Sequence, residues 1–269
     1  MTFAERYVVK PGRKVRLSQL DPKDTAGLSG KAEARAALKE NLQRLSELQY
    51  LLYAEGKRAL LIVLQAMDAG GKDGTIRHVM GPMNPQSCKV TSFKAPTDEE
   101  LAHDFLWRVH KAVPRYGEIG IFNRSHYEDV LVARVKNLAP KSVWSRRYGQ
   151  INDFERMLRQ NGVHMLKFFL HISRGEQLKR LKTRLDDPTK HWKADPADFE
   201  EREHWDDYVD AYEDALGKCS KPHAPWFVIP ADKKWFRNLA VSEIIVEVLG
   251  DIDMRFPKPA FDVSQVKAE

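Results

Sequence analysis

Residues 58–77 read Arg-Ala-Leu-Leu-Ile-Val-Leu-Gln-Ala-Met-Asp-Ala-Gly-Gly-Lys-Asp-Gly-Thr-Ile-Arg. The apolar run from Ala59 to Leu64 has the composition of a parallel strand buried on both faces. A glycine-rich turn with a lysine follows, and a helical pattern opens behind it. Strand, glycines, lysine and helix in that order are the context of a phosphate-binding loop. Gly70, Gly71 and Gly74 leave backbone N–H groups free to close on an anion. A helix starting near Lys72 aims its positive end at the same place, and Lys72 adds a full charge. The predicted phosphate contacts are therefore Ala69, Gly70, Gly71, Lys72, Asp73, Gly74 and Thr75.

The loop departs from G-x-x-x-x-G-K-[ST] at two positions. Its first glycine falls on Ala66, and the Ser/Thr that holds Mg²⁺ falls on Asp73, with Thr75 two residues later. Asp68 sits inside the loop. A bare carboxylate there repels a polyphosphate unless a divalent cation lies between them. Asp68 thus reads as a metal ligand, a general base, or both. For Asp73 the plainer reading is a helix N-cap.

Outward from the loop, strands and helices alternate. The helical stripe Leu38, Leu42, Leu45, Leu48, Leu52 spans 31–55 and stops at Gly56. Strands are expected at 59–66, 88–93, 118–122, 165–172 and 226–229. Helices are expected at 72–80, from Pro96, and over 141–160, 174–185, 198–217 and 234–250. This alternation predicts an α/β, three-layer, P-loop kinase-like fold with a parallel five-stranded sheet and a helical lid. Residues 1–30 read as an irregular arm and 31–255 as the kinase-like domain with its lid at about 183–200. A C-terminal tail is expected over 256–269.

The chain has 269 residues, 30% charged and 42% hydrophobic, which suits a soluble globular protein. No apolar stretch approaches the roughly 20 residues of a membrane span, and the N-terminus has no apolar signal core. A cytoplasmic location is expected, with no membrane partner. Cys88 and Cys219 lack metal or disulfide-scaffold spacing. The net charge of +6 suits an anionic partner.

Four blocks carry a family resemblance. Ala66-Met67-Asp68-Ala69-Gly70-Gly71-Lys72-Asp73-Gly74 resembles the Walker A segment of the second family of polyphosphate kinases. Phe122-Asn123-Arg124-Ser125-His126-Tyr127-Glu128-Asp129-Val130 matches its second block, and Arg184 to Lys193 looks like its lid. Ala224 to Asp232 is the fourth block. The Asn123–Asp129 variant looks most like the class that phosphorylates AMP as well as ADP. The resemblance implies transfer of a phosphoryl group between inorganic polyphosphate and AMP or ADP, giving ADP or ATP. It also implies a homo-oligomer, often a tetramer.

The second block follows a short strand, where ligands of open parallel sheets bind. Asn123 stands where a Walker B aspartate would, and an amide supplies no charge. Metal binding, with Mg²⁺ or Mn²⁺, then shifts to Asp68, with Asp129 as a helper. Arg124 can grip a phosphate with its fork, or pair with Glu128 or Asp129. In the resembled family a glutamate at Glu128 goes with AMP use. The predicted catalytic set is Asp68, Lys72, Arg124 and Glu128. In the lid, Arg180, Lys182, Arg184, Lys190 and Lys193 put five positive charges within fourteen residues. Arg180 and Arg184 share a helix face. With Lys193 they are expected to meet polyphosphate, and Trp192 is expected to anchor the lid's return.

Two other readings compete. One is an ATP-dependent nucleoside monophosphate kinase with a degenerate P-loop, which the loop alone does not exclude. The other is a non-catalytic polyanion- or nucleic-acid-binding protein. Positive charge is spread along the chain without an RNA- or DNA-reading motif, so nucleic acid is not an expected partner.

Overall fold

Five strands run parallel in one sheet: Ala59–Gln65 (β1), Cys88–Ser92 (β2), Ile119–Asn123 (β3), Val163–His171 (β4) and Trp226–Pro230 (β5). Their order is β2–β3–β1–β4–β5. The computed structural model describes residues 1–263 and 266; residues 264, 265 and 267–269 of the expected tail lie outside the described residues. β1 lies at the centre with every residue buried, which explains its unbroken apolar run. β2 is an edge strand, and three of its five residues are exposed. The chain leaves β1 towards the β2 edge and leaves β4 towards the β5 edge. Ligands of open parallel sheets bind at carboxyl ends where the winding reverses.

Helices surround the sheet. Lys31–Glu55 (α1) ends at Gly56, whose φ of 63° supplies the left-handed cap. Lys72–Thr75 (α2) opens behind the loop and widens into a π-helical turn, Ile76–Met80. Lys141–Gln160 (α3) and Arg174–Asp186 (α4) follow, the latter capped by the Ser173 hydroxyl on the Glu176 N–H. Trp205–Cys219 (α5) and Lys234–Gly250 (α6) are the last long helices, and α6 packs along α1; between the strands lie shorter ones, Asp98–Leu101, Trp107–His110 and Val132–Val135. The helix expected over 198–217 is interrupted. Ala197–Glu200 and the 3₁₀ turn Glu201–His204 precede α5.

The first thirty residues are irregular in backbone but docked. Phe3–Tyr7 forms one helical turn, Val9 N–H donates to Trp226 O (2.8 Å), and Val15 and Leu17 are buried. Cys219 is buried, Cys88 is half-buried, and both are free thiols. Among the described residues no helix is long and apolar enough to cross a membrane.

One polar cluster lies wholly inside the core. Lys167 Nζ on β4 donates to Glu155 Oε2 (2.5 Å), Tyr127 OH (2.8 Å) and Cys219 O (2.8 Å). Glu155 Oε1 accepts from Tyr127 OH (2.8 Å) and meets His126 Nε2 (3.2 Å). The pair is fully desolvated, so it holds only because each charge has its partner. Lys167→Met should cost about 3–5 kcal/mol in chemical denaturation by stranding Glu155. Lys167→Met with Glu155→Leu should recover part of that loss; a double mutant no more stable than the single would refute this account.

Candidate active site

The segment from Ala66 to Gly71 joins β1 to α2. Ala69 (φ 57°) and Gly71 (φ 105°) both take left-handed backbone. Gly71 has a second reason to lack a side chain. A Cβ there would collide with the Arg237 guanidinium, and one at Gly70 would collide with Ala66 and Met67. Lys72 Nζ donates to Ala66 O (3.2 Å), and burial lowers its proton affinity against the pull of Asp68. The Thr75 hydroxyl donates back to Gly71 O (3.2 Å). Asp73 accepts from Asn123 Nδ2 and from Lys193 Nζ, each at 3.0 Å. Burial alone would raise the Asp73 carboxyl, yet these two bonds hold it below the usual range.

Beside the loop lies a cavity of about 210 Å³. Met67 and Asp68 contribute one side, Arg124 and Glu128 another, and Trp205, Tyr208 and Tyr212 of α5 a third. Arg124 has φ 62°, a left-handed backbone that a non-glycine residue holds only under constraint. Its N–H donates to Leu64 O (3.1 Å), and Nη2 donates to Asp68 Oδ1 (3.1 Å). Arg124 therefore pairs with Asp68 in the loop. Burial opposes its charge, and Glu128 and Asp68 more than restore it. Burial pushes the Glu128 carboxyl up, while Arg124 and Lys72 pull it down.

The structure thus brings Asp68, Lys72, Arg124 and Glu128 together. Asp129 lies apart from them: its Oδ1 accepts from Arg147 Nη1 (3.1 Å), and it is absent from the cavity wall. Among the described residues no three His, Cys, Asp or Glu form a metal cluster. Phosphoryl-transfer sites need fewer, because Mg²⁺ takes one or two carboxylates and completes its shell with phosphates and water. Asp68 and Glu128 on one cavity fit that donor set.

The lid cations are already engaged. Arg180 donates to Ala69 O (3.0 Å), Gly70 O (3.1 Å), Ala231 O (2.5 Å) and Asp232 O (3.1 Å), and to Glu176 (2.8 Å). It braces the phosphate loop against the end of β5. Arg184 ties Asp198 (2.6 Å) and Lys193 O (3.3 Å) within the lid. Trp192, expected as the lid's anchor, is 78% exposed; the Arg184–Asp198 pair closes the segment instead.

Sequence reading missed several neighbours. Gln177 Nε2 donates to Asp68 O (3.1 Å). The aromatic wall of α5 comes from residues about 80 positions after Arg124, and nothing local marks it. Ala66 and Met67 also line the cavity, whereas Asn84 lies away from it, tied to Gln49 in both directions. Arg237 did leave a signal, as a charged residue in the apolar run of α6. It is 2% exposed, donates to Asn238 Oδ1 (2.7 Å), and has no ion pair among the described residues. Burial, with Arg180 nearby, lowers its pKa to about 10.

A sequence profile described as Polyphosphate kinase 2 matches residues 28–257. The chain belongs to the polyphosphate kinase 2 family. It is 55% identical over 256 residues to the AMP/ADP-polyphosphate phosphotransferase of Meiothermus ruber, covering 95% of this chain and 96% of that protein. It is 44% identical to the ADP-polyphosphate phosphotransferase of Rhodopseudomonas palustris, over 94% and 92% of the two chains. The crystal structure of polyphosphate kinase 2 from Arthrobacter aurescens TC1 superposes with a TM-score of 0.94 at 48% identity, over 98% of this chain and 94% of that one. This polyphosphate kinase 2 is a phosphoryl-transfer enzyme, and its four sequence blocks all fall within the matched residues. Such chemistry works with a divalent cation.

Gly71→Ala tests the loop's packing. It should lower turnover by about 10²-fold or more, because a misplaced loop loses its alignment with the phosphates. Gly149→Ala on α3, where a Cβ meets nothing within 4 Å, should leave turnover unchanged. Equal turnover in the two variants would refute the packing argument.

Proposed function

We propose that the chain transfers a phosphoryl group between inorganic polyphosphate and either AMP or ADP, giving ADP or ATP. The observation that carries this reading is the meeting of Asp68, Arg124 and Glu128 on one cavity directly beside Lys72 and the loop. The names of the two relatives support the substrate class. The matching profile favours this reading over an ATP-dependent monophosphate kinase.

The nucleotide enters the cavity with its phosphate towards Arg124 and its base towards the aromatic side chains of α5. Polyphosphate lies on the loop, where Lys72, the α2 amides and the unpaired Arg237 face it. Phosphoryl transfer passes through a loose transition state with charge on the equatorial oxygens. Lys72 and Arg124 stabilise that charge from fixed positions, so little reorganisation is needed. Asp68 and Glu128 would hold Mg²⁺ or Mn²⁺, which would supply positive charge between the two polyanions. Residues 183–200 act as a lid, held down by the Lys193–Asp73 contact, and exclude water that would hydrolyse the phosphoryl group. Arg180 and Arg184 serve the polyphosphate path by holding the loop and the lid.

We place the reaction in the cytoplasm, in a homo-oligomer up to a tetramer, without nucleic acid. Exposed Tyr50 and Phe256, whose rings meet at 5.9 Å, and exposed Tyr53 give apolar surface that supports self-association.

The decisive assay supplies purified protein with AMP or ADP and long-chain polyphosphate, with and without Mg²⁺. Lys72→Ala and Asp68→Asn should each lower kcat by about 10²-fold or more in folded protein, the usual loss for a removed electrostatic contact. Arg237→Met should raise KM for polyphosphate and flatten its salt dependence, since one fewer cation faces the polyanion.

Acceptor choice is a separate outcome. AMP lacks the second phosphate that helps to position ADP, so Glu128 supplies that positioning through water or metal. Glu128→Asn should depress kcat/KM for AMP more than for ADP. Equal losses would mean that Glu128 serves only to hold Arg124.

A further inference from the structure

Glu201 opens the 3₁₀ turn that precedes α5, and it lines the cavity beside Trp205 and Tyr208. Two donors fix its carboxylate. Lys136 Nζ meets Oε1 (2.6 Å), and Tyr208 OH donates to Oε2 (3.0 Å). Glu201, Lys136 and Tyr208 are all half-buried. A carboxylate oxygen has two lone pairs, so each oxygen of Glu201 keeps one free. Lys136 already balances the charge. The free positions therefore suit an uncharged N–H or O–H donor rather than a cation.

The bond to Tyr208 also says where that donor must lie. The hydroxyl is the tip of the tyrosine ring, so a carboxylate bonded to it sits at the edge of the ring and not over its face. A planar base packed against the face of Tyr208 in offset stacking lies parallel to the ring. Its own edge then comes alongside the same carboxylate. Base edges differ in what they carry there: adenine and cytosine present an exocyclic amine, whereas guanine and uracil present a carbonyl oxygen. The other acid on the loop side, Asp68, is paired with Arg124. Glu201 is held from the other side, by Lys136 just beyond the helix Val132–Val135.

We propose that Glu201 is a specificity-determining residue: its carboxylate accepts a hydrogen bond from the exocyclic amine of the acceptor's base and so favours adenine over a 6-oxo purine. The inference rests on the reading that the acceptor nucleotide lies in this cavity with its base towards α5. A 6-oxo purine sets lone pairs against lone pairs. It forfeits one charge-assisted hydrogen bond and adds a repulsion. Water at the half-buried carboxylate relieves part of that loss, so the discrimination is about tenfold and below that of a sealed polar pocket.

The test compares AMP with inosine monophosphate, which has the same size and carries a carbonyl where AMP has its amine. Binding is measured by isothermal titration calorimetry without polyphosphate, and turnover with it. The wild-type protein should bind AMP about tenfold more tightly, with the difference appearing in KM rather than kcat. Glu201→Gln, whose amide can turn to donate or to accept, should bring the ratio to about one. Lys136→Met removes the partner and keeps the carboxylate, so the preference should survive there; a merely structural Glu201 would lose it in both variants. Equal wild-type affinities, an undiminished preference in folded Glu201→Gln, or its loss in folded Lys136→Met overturns the proposal. So does a wild type that binds neither nucleotide. 2′-Deoxy-AMP separates the base from the sugar: if only its penalty disappears in Glu201→Gln, the carboxylate reads the ribose and the proposal falls. Binding in the expected ratio without transfer from polyphosphate would refute the proposed reaction and leave the base reading standing.

Discussion

Leu64 and Asn123 face each other across β1 and β3, and this register decides where the chemistry can lie. Because the strands end level, the loops that follow leave the sheet side by side. Arg124 then binds back by its N–H to Leu64 O and by its guanidinium to Asp68. Asn123 reaches Asp73 in the same way. Two loops 56 residues apart in sequence become one surface. A slip of one residue would turn every side chain of β3 to the other face and separate these partners.

The cations around that surface divide by how firmly they are held. Arg180 is nearly buried and makes four contacts to backbone oxygens of two segments, so releasing it would strand several groups at once. It is scaffold. The Lys193–Asp73 pair is partly solvated on both sides, and such pairs are worth about 0–1 kcal/mol. A polyanion arriving at the loop would take Lys193 from Asp73 at little cost, as the lid proposed above requires. Lys72 and Arg237 sit between these extremes. Both are charged groups weakened by burial, and a phosphate beside them restores the charge that burial opposes.

Much of this was legible in the sequence, for identifiable reasons. α1 was readable because its leucine periodicity and Gly56 mark local events. The loop was readable because phosphate binding needs glycine at fixed places. What escaped was set by tertiary approach. Nothing near Tyr208 or Tyr212 says that α5 folds back onto the segment from Arg124 to Glu128. Arg180 and Arg184 were read as free cations because sequence shows their charge and not the carbonyls and Asp198 that occupy them. The interruption before α5 was also invisible, since Glu201 to His204 are as compatible with α-helix as with the 3₁₀ turn they form.

Arg124 shows why a fully buried ion pair lies under this site. Its left-handed backbone stores strain, and strain persists only where the surroundings over-determine it. The residues that follow supply that determination. Ser125 caps the next turn, His126 and Tyr127 reach Glu155, and Glu155 is fixed by Lys167 on β4. An apolar core of the same volume would fill the space as well. It would not fix the rotation of the turn, because dispersion contacts are non-directional whereas these hydrogen bonds are not. The Glu155–Lys167 pair thus acts as a directional clamp on the segment from Arg124 to Glu128. Arg124 stands on one side of that clamp and Glu128 on the other, and their spacing across the cavity is set from below.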